Sequence, residues 1–174
     1  MSSVPEPLAT PSAFDIDSIS AALASADARD AVLRVVERIA SEQMGVIVFS
    51  ASICHVEAME VERVYSSRPS VYPVGARTNK RQTSWGRQVL QERRVFVGEG
   101  PLEMAAAFDD QEGMAKAGVR SIINVPIVVQ EQCLGVLNFG RAVERVSPVH
   151  ITVARFLGIA ASAVFAMKQS AKGP

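Results

Sequence analysis

Cysteine and tryptophan are the scarcest informative residues in this chain of 174 residues, with two cysteines and one tryptophan. Two cysteines cannot build a disulfide framework, and the sequence contains neither a CxxC motif nor a Cys/His cluster typical of a metal site. Both lie in apolar, strand-like runs, where cysteine usually acts as a small buried hydrophobe. We therefore predict that Cys54 and Cys133 are structural, reduced thiols and that the chain binds no metal.

An excess of charge of either sign is also lacking, because 18 basic residues balance 18 acidic ones. This balance does not favour nucleic acid or an anionic membrane as a partner. The N-terminus has no basic region followed by an apolar core, and the longest apolar run, Phe156 to Met167, is too short to span a bilayer. We expect a cytoplasmic protein without nucleic-acid or membrane partners.

Recognisable catalytic motifs are absent from the sequence as well. His55 and His150 are far apart, and Ser52 and Cys54 flank His55 too closely for a triad, since alternate strand residues point to opposite faces. No P-loop appears, and no GxGxxG follows a predicted strand. The sequence therefore predicts no catalytic residue and identifies no cofactor.

Two apolar runs between Val119 and Gly140 flank the polar break Gln-Glu-Gln and predict an antiparallel hairpin. Because both runs are apolar at nearly every position, we expect these strands to be covered on both faces. Three polar residues inside them would need partners if buried: Ser121, Asn124 and Asn138. Pro126 predicts an edge or a bulge, and Gly135 predicts a close approach to the backbone.

The rest of the chain predicts a single domain at 15–170, a disordered leader at 1–14 and a flexible tail at 171–174. Apolar periodicity and capping residues predict helices at Asp15–Ser25, Ala28–Met44, Ser84–Arg94, Leu102–Ala107, Gln111–Ala117 and Ser147–Ser170. Strands are predicted at Val46–Val56, Glu60–Ser66 and Val95–Gly98, with a loop at Ser67–Thr83. This order predicts an α+β fold, a central antiparallel sheet of about five to six strands with helices on both faces.

The hairpin resembles the signature of the GAF domain family. The residues that match are Gly118, the run Ser121-Ile-Ile-Asn-Val-Pro-Ile127, the run Leu134-Gly-Val-Leu137 and the long apolar helix that follows. The resemblance extends from about Ala28 to Met167; the family usually has glycine in the hairpin turn, where Glu131 stands here. It implies a sensory or regulatory module in signal transduction that binds a small molecule. It also implies that the ligand lies under the segments that connect the strands.

We accordingly place the pocket between the hairpin and the segments Ser67–Arg87 and Leu102–Ala117. Trp85 is either a core residue or a pocket wall, and the basic block that runs from Arg77 to Arg94 is either a solvated face or a site for an anionic ligand. The acidic segment Glu99 to Glu112 would pair with this block. The predicted ligand-binding residues are Tyr72, Trp85, Arg87, Phe108, Asp109, Asp110, Asn124 and Asn138.

Two other functions remain open. One branch of the same family reduces free methionine sulfoxide with cysteines, but the regions that match its cysteines read Gly118-Val-Arg-Ser121 and Ser84-Trp-Gly-Arg87 here. The other alternative is a dimerisation module with a vestigial pocket, since the last helix is apolar nearly all round. Whichever function holds, we predict a homodimer through the helices at Ala28–Met44 and Ser147–Ser170.

Overall fold

A computed structural model describes residues 13–108 and 110–167 of the chain. It contains one six-stranded antiparallel sheet with the strand order β3-β2-β1-β6-β5-β4. The strands are β1 Val46–His55, β2 Glu60–Ser66, β3 Arg77–Asn79, β4 Phe96–Glu99, β5 Ser121–Val129 and β6 Gln132–Arg141. The predicted α+β fold is confirmed. The predicted leader, the tail and the end of the last helix at Ser170 lie outside the described residues.

The described residues also form five α-helices and one π-helical segment. They are α1 Ala13–Leu23, α2 Ala28–Met44, the π-helical segment Gly86–Gln91, α3 Gly100–Ala107, α4 Gln111–Lys116 and α5 Pro148–Ala166. The predicted helix ends are confirmed where a cap defines them. Gly45 ends α2 with a left-handed φ of 63°, and the Ser147 side chain accepts a hydrogen bond from the backbone N–H of His150 at the start of α5.

The helix predicted from Ser84 to Arg94 is confirmed only in part, because helical residues run from 84 to 91 and Ser84 is not the cap. The π-helical segment is shorter, and its first N–H, on Gly86, is bound by the hydroxyl of Thr83 at 2.9 Å rather than by Ser84. The same hydroxyl donates to the carbonyl of Lys80 at 2.9 Å. The Thr83 hydroxyl thus links the first residue of the π-helical segment to Lys80 through two hydrogen bonds. Helical periodicity in the sequence does not predict these bonds.

The strand β3 lies inside the segment predicted to be a loop. Its three residues pair with Glu60, Val61 and Glu62 of β2, and all three are exposed. A strand this short, with no apolar face, leaves no periodic pattern in the sequence.

Helices cover both faces of the sheet, as predicted. On the first face, α2 and α5 pack on the central strands around a core that includes Val36, Phe49, Phe139 and Leu157, and α1 packs on α2. On the second face, the π-helical segment, α3 and α4 contribute two smaller clusters, centred on Trp85 and on Met104. The second face is the one that carries the candidate site.

The helix α5 is long and apolar enough to cross a membrane by length and composition, with 19 residues and a mean hydropathy of 1.7. In the fold it packs against α2 and β5. The core helix of a soluble protein meets the same criteria, so its length and composition are weak evidence for a membrane span.

The β5–β6 hairpin closes through Gln130 and Glu131, whose φ angles are 48° and 61°. Positive φ at both central residues describes a type I′ turn, which explains why the related family prefers glycine here. Gly135 receives the predicted close approach, because a Cβ there would lie 2.2 Å from the ring of Phe165 in α5. Pro126 lies beyond Asn124, where the pairing of β5 with β4 ends, so β5 has a partner on only one side there.

Candidate functional site

A cavity of about 330 Å³ lies between the second face of the sheet and the connecting segments, where the sequence placed the pocket. Its floor consists of residues of β1, β2 and β6, and its cover comes from the β2–β3 connection, the segment before the π-helical turn and the α3–α4 region. The lining residues include Ser50, Ser52, Val61, Arg63, Tyr72, Lys80, Trp85, Phe108, Asp110, Met114, Val136 and Asn138. The lining combines apolar and aromatic side chains with hydroxyl, amide and charged groups, a combination suited to a small-molecule site.

Five of the eight predicted ligand-binding residues line this cavity: Tyr72, Trp85, Phe108, Asp110 and Asn138. Asn124 and Arg87 do not, and Asp109 lies outside the described residues. The structure therefore brings the predicted aromatic walls together, but it does not place the predicted amide or the predicted anchor in the cavity.

Asn124 is fully buried and is held by side chains of the same chain. Its Oδ1 accepts a hydrogen bond from Nε1 of Trp85 at 2.9 Å, and its Nδ2 donates to Oδ1 of Asn138 at 2.6 Å. Asn138 in turn donates to the hydroxyl of Ser50 at 3.1 Å. This chain of hydrogen bonds crosses from the π-helical region through β5 and β6 to β1, and only its members Trp85, Asn138 and Ser50 reach the cavity.

Trp85 combines the two roles that the sequence left open. It is 2% exposed, and its indole N–H is satisfied by Asn124, so it belongs to the core. It also lines the cavity, beside Phe108 at a centroid distance of 6.4 Å. The ammonium group of Lys80 lies 5.5 Å from the Trp85 ring centroid and 5.8 Å from that of Phe108, within the range of cation–π attraction.

Arg87 lies on the surface and not in the cavity. The structure therefore does not support the prediction that Arg87 holds an anionic group of the ligand. The Arg87 side chain is 77% exposed, and its Nε lies 2.9 Å from a carboxylate oxygen of Glu92. Arg94 binds the other oxygen of the same carboxylate, and Arg77 pairs with Glu62. Most of the basic block is therefore a solvated surface; Lys80 is its buried member.

Arg63 is the basic residue of the cavity that the sequence analysis missed. Its guanidinium lies over the ring of Tyr72, 5.3 Å from the centroid, and its Nη1 donates to the carbonyl of Pro73 at 3.3 Å. Its Nε is buried and has no hydrogen-bond partner among the residues that the structure describes. Burial lowers the pKa of Arg63, against the smaller opposing effects of Tyr72 and Asp110. The sequence feature that could have identified Arg63 is a charged residue within a strand predicted to be half-buried.

The described ion pairs of the acidic segment lie outside the basic block, whereas the sequence had favoured pairing with that block. Glu99 lies 3.4 Å from Arg145, and Glu112 pairs with Lys116 at 2.6 Å within α4. Asp110 caps α4 by accepting the N–H of Gly113 at 3.0 Å, and its side chain also faces the cavity. Helical spacing thus satisfies Glu112 and capping satisfies Asp110, whereas Glu99 pairs with a residue distant in the chain.

The described lining residues include no cysteine or histidine, and the described part of the chain holds no cluster of three His, Cys, Asp or Glu side chains suited to a metal. His55 lies beside Glu62, and His150 closes the cap of α5. The arrangement offers aromatic walls, hydroxyl and amide groups and two basic groups. It is suited to holding a partly planar ligand with a hydrogen-bond acceptor or a negative charge.

Comparison with known protein families gives a match to the family described as GAF domain over residues 24–166. The family is known for small-molecule binding in signalling proteins. No protein with curated annotation matches the chain.

Solved structures share the fold at low sequence identity. The GAF domain of a phosphoenolpyruvate-protein phosphotransferase from Acinetobacter has a TM-score of 0.67 at 18% identity, covering 90% of this chain and 95% of that one. The free methionine-R-sulfoxide reductase from Neisseria meningitidis, in complex with its substrate, has a TM-score of 0.64 at 13% sequence identity, covering 90% of this chain and 92% of that one. The phycocyanobilin-bound GAF domain from a cyanobacterial phytochrome has a TM-score of 0.63 at 15% sequence identity, covering 90% of this chain and 96% of that one.

Proposed function

Because the chain belongs to the GAF domain family, we propose that it is a regulatory module that binds a small molecule in signalling and has no catalytic activity of its own. The observation that carries this proposal is the lined cavity with the buried Nε of Arg63 at its wall. A buried donor without a partner is costly, and a ligand acceptor group would satisfy it. The cytoplasmic location remains part of the proposal.

The lining favours a particular class of ligand. Trp85 and Phe108 provide apolar surface for a planar group. Arg63 and Lys80 provide positive charge, and Asp110 provides a carboxylate among the described lining residues. We therefore propose a small ligand with a planar apolar part and an anionic or strongly accepting group that faces Arg63. In this proposal Arg63, and not Arg87, binds the anionic group of the ligand.

A thermal-shift screen of small anionic and heteroaromatic metabolites is expected to find a compound that raises the melting temperature, because binding only the folded state stabilises it. The variant Arg63→Gln should bind that compound about tenfold more weakly, since a charged hydrogen bond is lost. Titration calorimetry of the parent and the variant measures this difference.

Arg87→Gln is the matched control, because it removes the same charge from a solvated ion pair outside the cavity. Equal losses in the two variants would indicate general electrostatics rather than a specific anchor. A complete absence of stabilising compounds would favour the alternative of a dimerisation module with a vestigial pocket.

The reductase alternative has little support from the site. The likeness to the reductase from Neisseria meningitidis concerns the fold, and no cysteine lies among the described lining residues. Reduction of a sulfoxide by this family needs a thiolate within reach of the substrate. Turnover of free methionine sulfoxide with a thiol reductant would overturn the proposal that the chain is not an enzyme.

We also propose that the chain forms a homodimer through its N- and C-terminal helices. The support is the apolar surface that α5 leaves in solvent, where Ile159 is 73% exposed and Met167 54%. Light scattering at micromolar concentration should report twice the mass of the chain, and Ile159→Arg should shift the protein to the monomer by placing a charge in the interface.

Leu102→Arg is the control for this experiment, since Leu102 is 85% exposed on α3, on the opposite face of the sheet. It should leave the dimer unchanged. A parent protein that is monomeric at every concentration would contradict the proposal.

A further inference from the structure

The two cysteines of the chain, predicted as separate structural thiols, lie side by side. Cys54 is near the end of β1 and Cys133 near the start of β6, and their sulfur atoms are 3.7 Å apart. Both are free thiols. A disulfide has a sulfur–sulfur distance of about 2.05 Å, so side-chain rotation and a small strand adjustment of about 1.7 Å would join them.

A β-bulge is what places both thiols on the same face. Ile127 pairs with Gly135, but the next residue of β5, Val128, pairs with Cys133, so Leu134 is left out of the register. Cys133 therefore turns to the face of the candidate site instead of following Gly135 toward α5. Cys54 reaches the same face through its pairing with Val61, a lining residue of the cavity.

The surroundings of the pair restrict what can reach it. Cys133 is 4% exposed and packs with Trp85, Val89 and Leu90, while Cys54 is half-buried at the edge of the same cluster. Neither sulfur lines the cavity. We expect this burial to exclude a bulky disulfide such as oxidised glutathione from Cys133, and a small oxidant to approach from the side of the more exposed Cys54.

Electrostatics make Cys133 the more acidic sulfur of the pair. The hydrogen bond with Cys54 lowers the pKa of Cys133, and the Arg93 guanidinium adds a smaller effect in the same direction. The pKa of Cys54 is raised by the same hydrogen bond and by burial. The thiolate form of Cys133 is therefore the nucleophile toward an oxidant, with the Cys54 thiol within reach to complete a disulfide.

We propose that Cys54 and Cys133 are a redox-reactive pair that a hydroperoxide converts into an intramolecular disulfide. The Cys133 thiolate attacks the terminal oxygen of the hydroperoxide; the O–O bond breaks, and the alcohol, or water from hydrogen peroxide, leaves with one proton. Cys133 is then a sulfenic acid. The Cys54 sulfur attacks it and loses its proton, the S–O bond breaks and water leaves. Two thiols are oxidised by two electrons, and one hydroperoxide is reduced.

The test uses the full chain, reduced and then freed of reductant, and treated with hydrogen peroxide under native conditions. After denaturation and maleimide labelling, the intact mass should show the loss of two hydrogens and no adduct. Peptide mapping without reduction should join the Cys54 and Cys133 peptides, and a dithiol reductant should restore two labelled thiols. Because the chain has only two cysteines, any disulfide within a monomer is this one.

The same oxidation in concentrated urea is the control, since unfolding separates the sulfurs. The folded chain should form the intramolecular disulfide at least about tenfold faster, because folding raises the effective concentration of one thiol at the other. Equal rates, or disulfides only between chains, would overturn the proposal. This comparison needs no variant and is therefore independent of whether a substituted chain folds.

Two variants then separate the roles of the sulfurs. In Cys54→Ser, peroxide treatment of the folded chain followed by unfolding in dimedone should give an adduct on Cys133, because the sulfenic acid has no second thiol to react with. Cys133→Ser should give little adduct on Cys54. The reverse pattern would contradict the assignment of Cys133 as the attacking sulfur. Oxidised glutathione should react more slowly than hydrogen peroxide, and a rapid mixed disulfide on either cysteine would overturn the restriction to small oxidants.

Discussion

Asn124→Ala is expected to lower the free energy of unfolding by about 2–4 kcal/mol. Asn124 is fully buried, and its amide connects Trp85 to Asn138. Truncation leaves the indole N–H of Trp85 and the Oδ1 of Asn138 without these partners inside the sheet, where each unsatisfied group costs about 1–3 kcal/mol. The sequence predicted that Asn124 binds the ligand, but the observed contacts make Asn124→Ala a stability variant.

Urea denaturation of the parent and the variant measures this loss as a lower midpoint at an unchanged slope. Asn79→Ala is the matched control, because Asn79 lies exposed on the edge strand β3 and its side chain accepts a hydrogen bond from the backbone N–H of Arg81. It should change stability by less than about 1 kcal/mol. If the two variants lose the same stability, the Trp85–Asn124–Asn138 chain is not a structural element.

The second large effect is expected for Gly86→Ala, at about 2–3 kcal/mol of lost stability. A Cβ at Gly86 would lie 2.1 Å from the backbone carbonyl oxygen of Lys80, and a backbone atom cannot turn aside as a side chain can. Either the π-helical segment or the loop before it must move. Because Lys80 and Trp85 both line the cavity, the same shift should also weaken the binding of any ligand that the thermal-shift screen finds.

Gln91→Ala provides the comparison for this variant, since Gln91 ends the same π-helical segment with an exposed side chain. Near-parent stability and ligand binding are expected there. A Gly86→Ala protein as stable as Gln91→Ala would show that the approach of Lys80 to Gly86 is not a constraint on this fold.

Tertiary structure decided which groups face the cavity. Arg87 and Arg63 are both arginines in predicted regular structure, but only Arg63 points toward Tyr72 and the cavity. The direction of a side chain in a strand depends on register, and β1 and β2 change register between Ala51 and Ser52. Such a shift arises from pairing between distant segments and is invisible in either segment alone.

The sequence by itself determined the features that depend on neighbouring residues, and the tertiary structure decided those that depend on pairing between distant segments. Apolar runs, Gly45, Ser147 and the hairpin from Val119 to Gly140 determined the α+β fold, because patterning and capping act over a few neighbouring residues. The partners of Asn124, the strand β3 and the meeting of Cys54 with Cys133 were decided only by the folded sheet. Each of these contacts joins residues far apart in the chain, so its geometry depends on register, bulges and packing that no local pattern encodes.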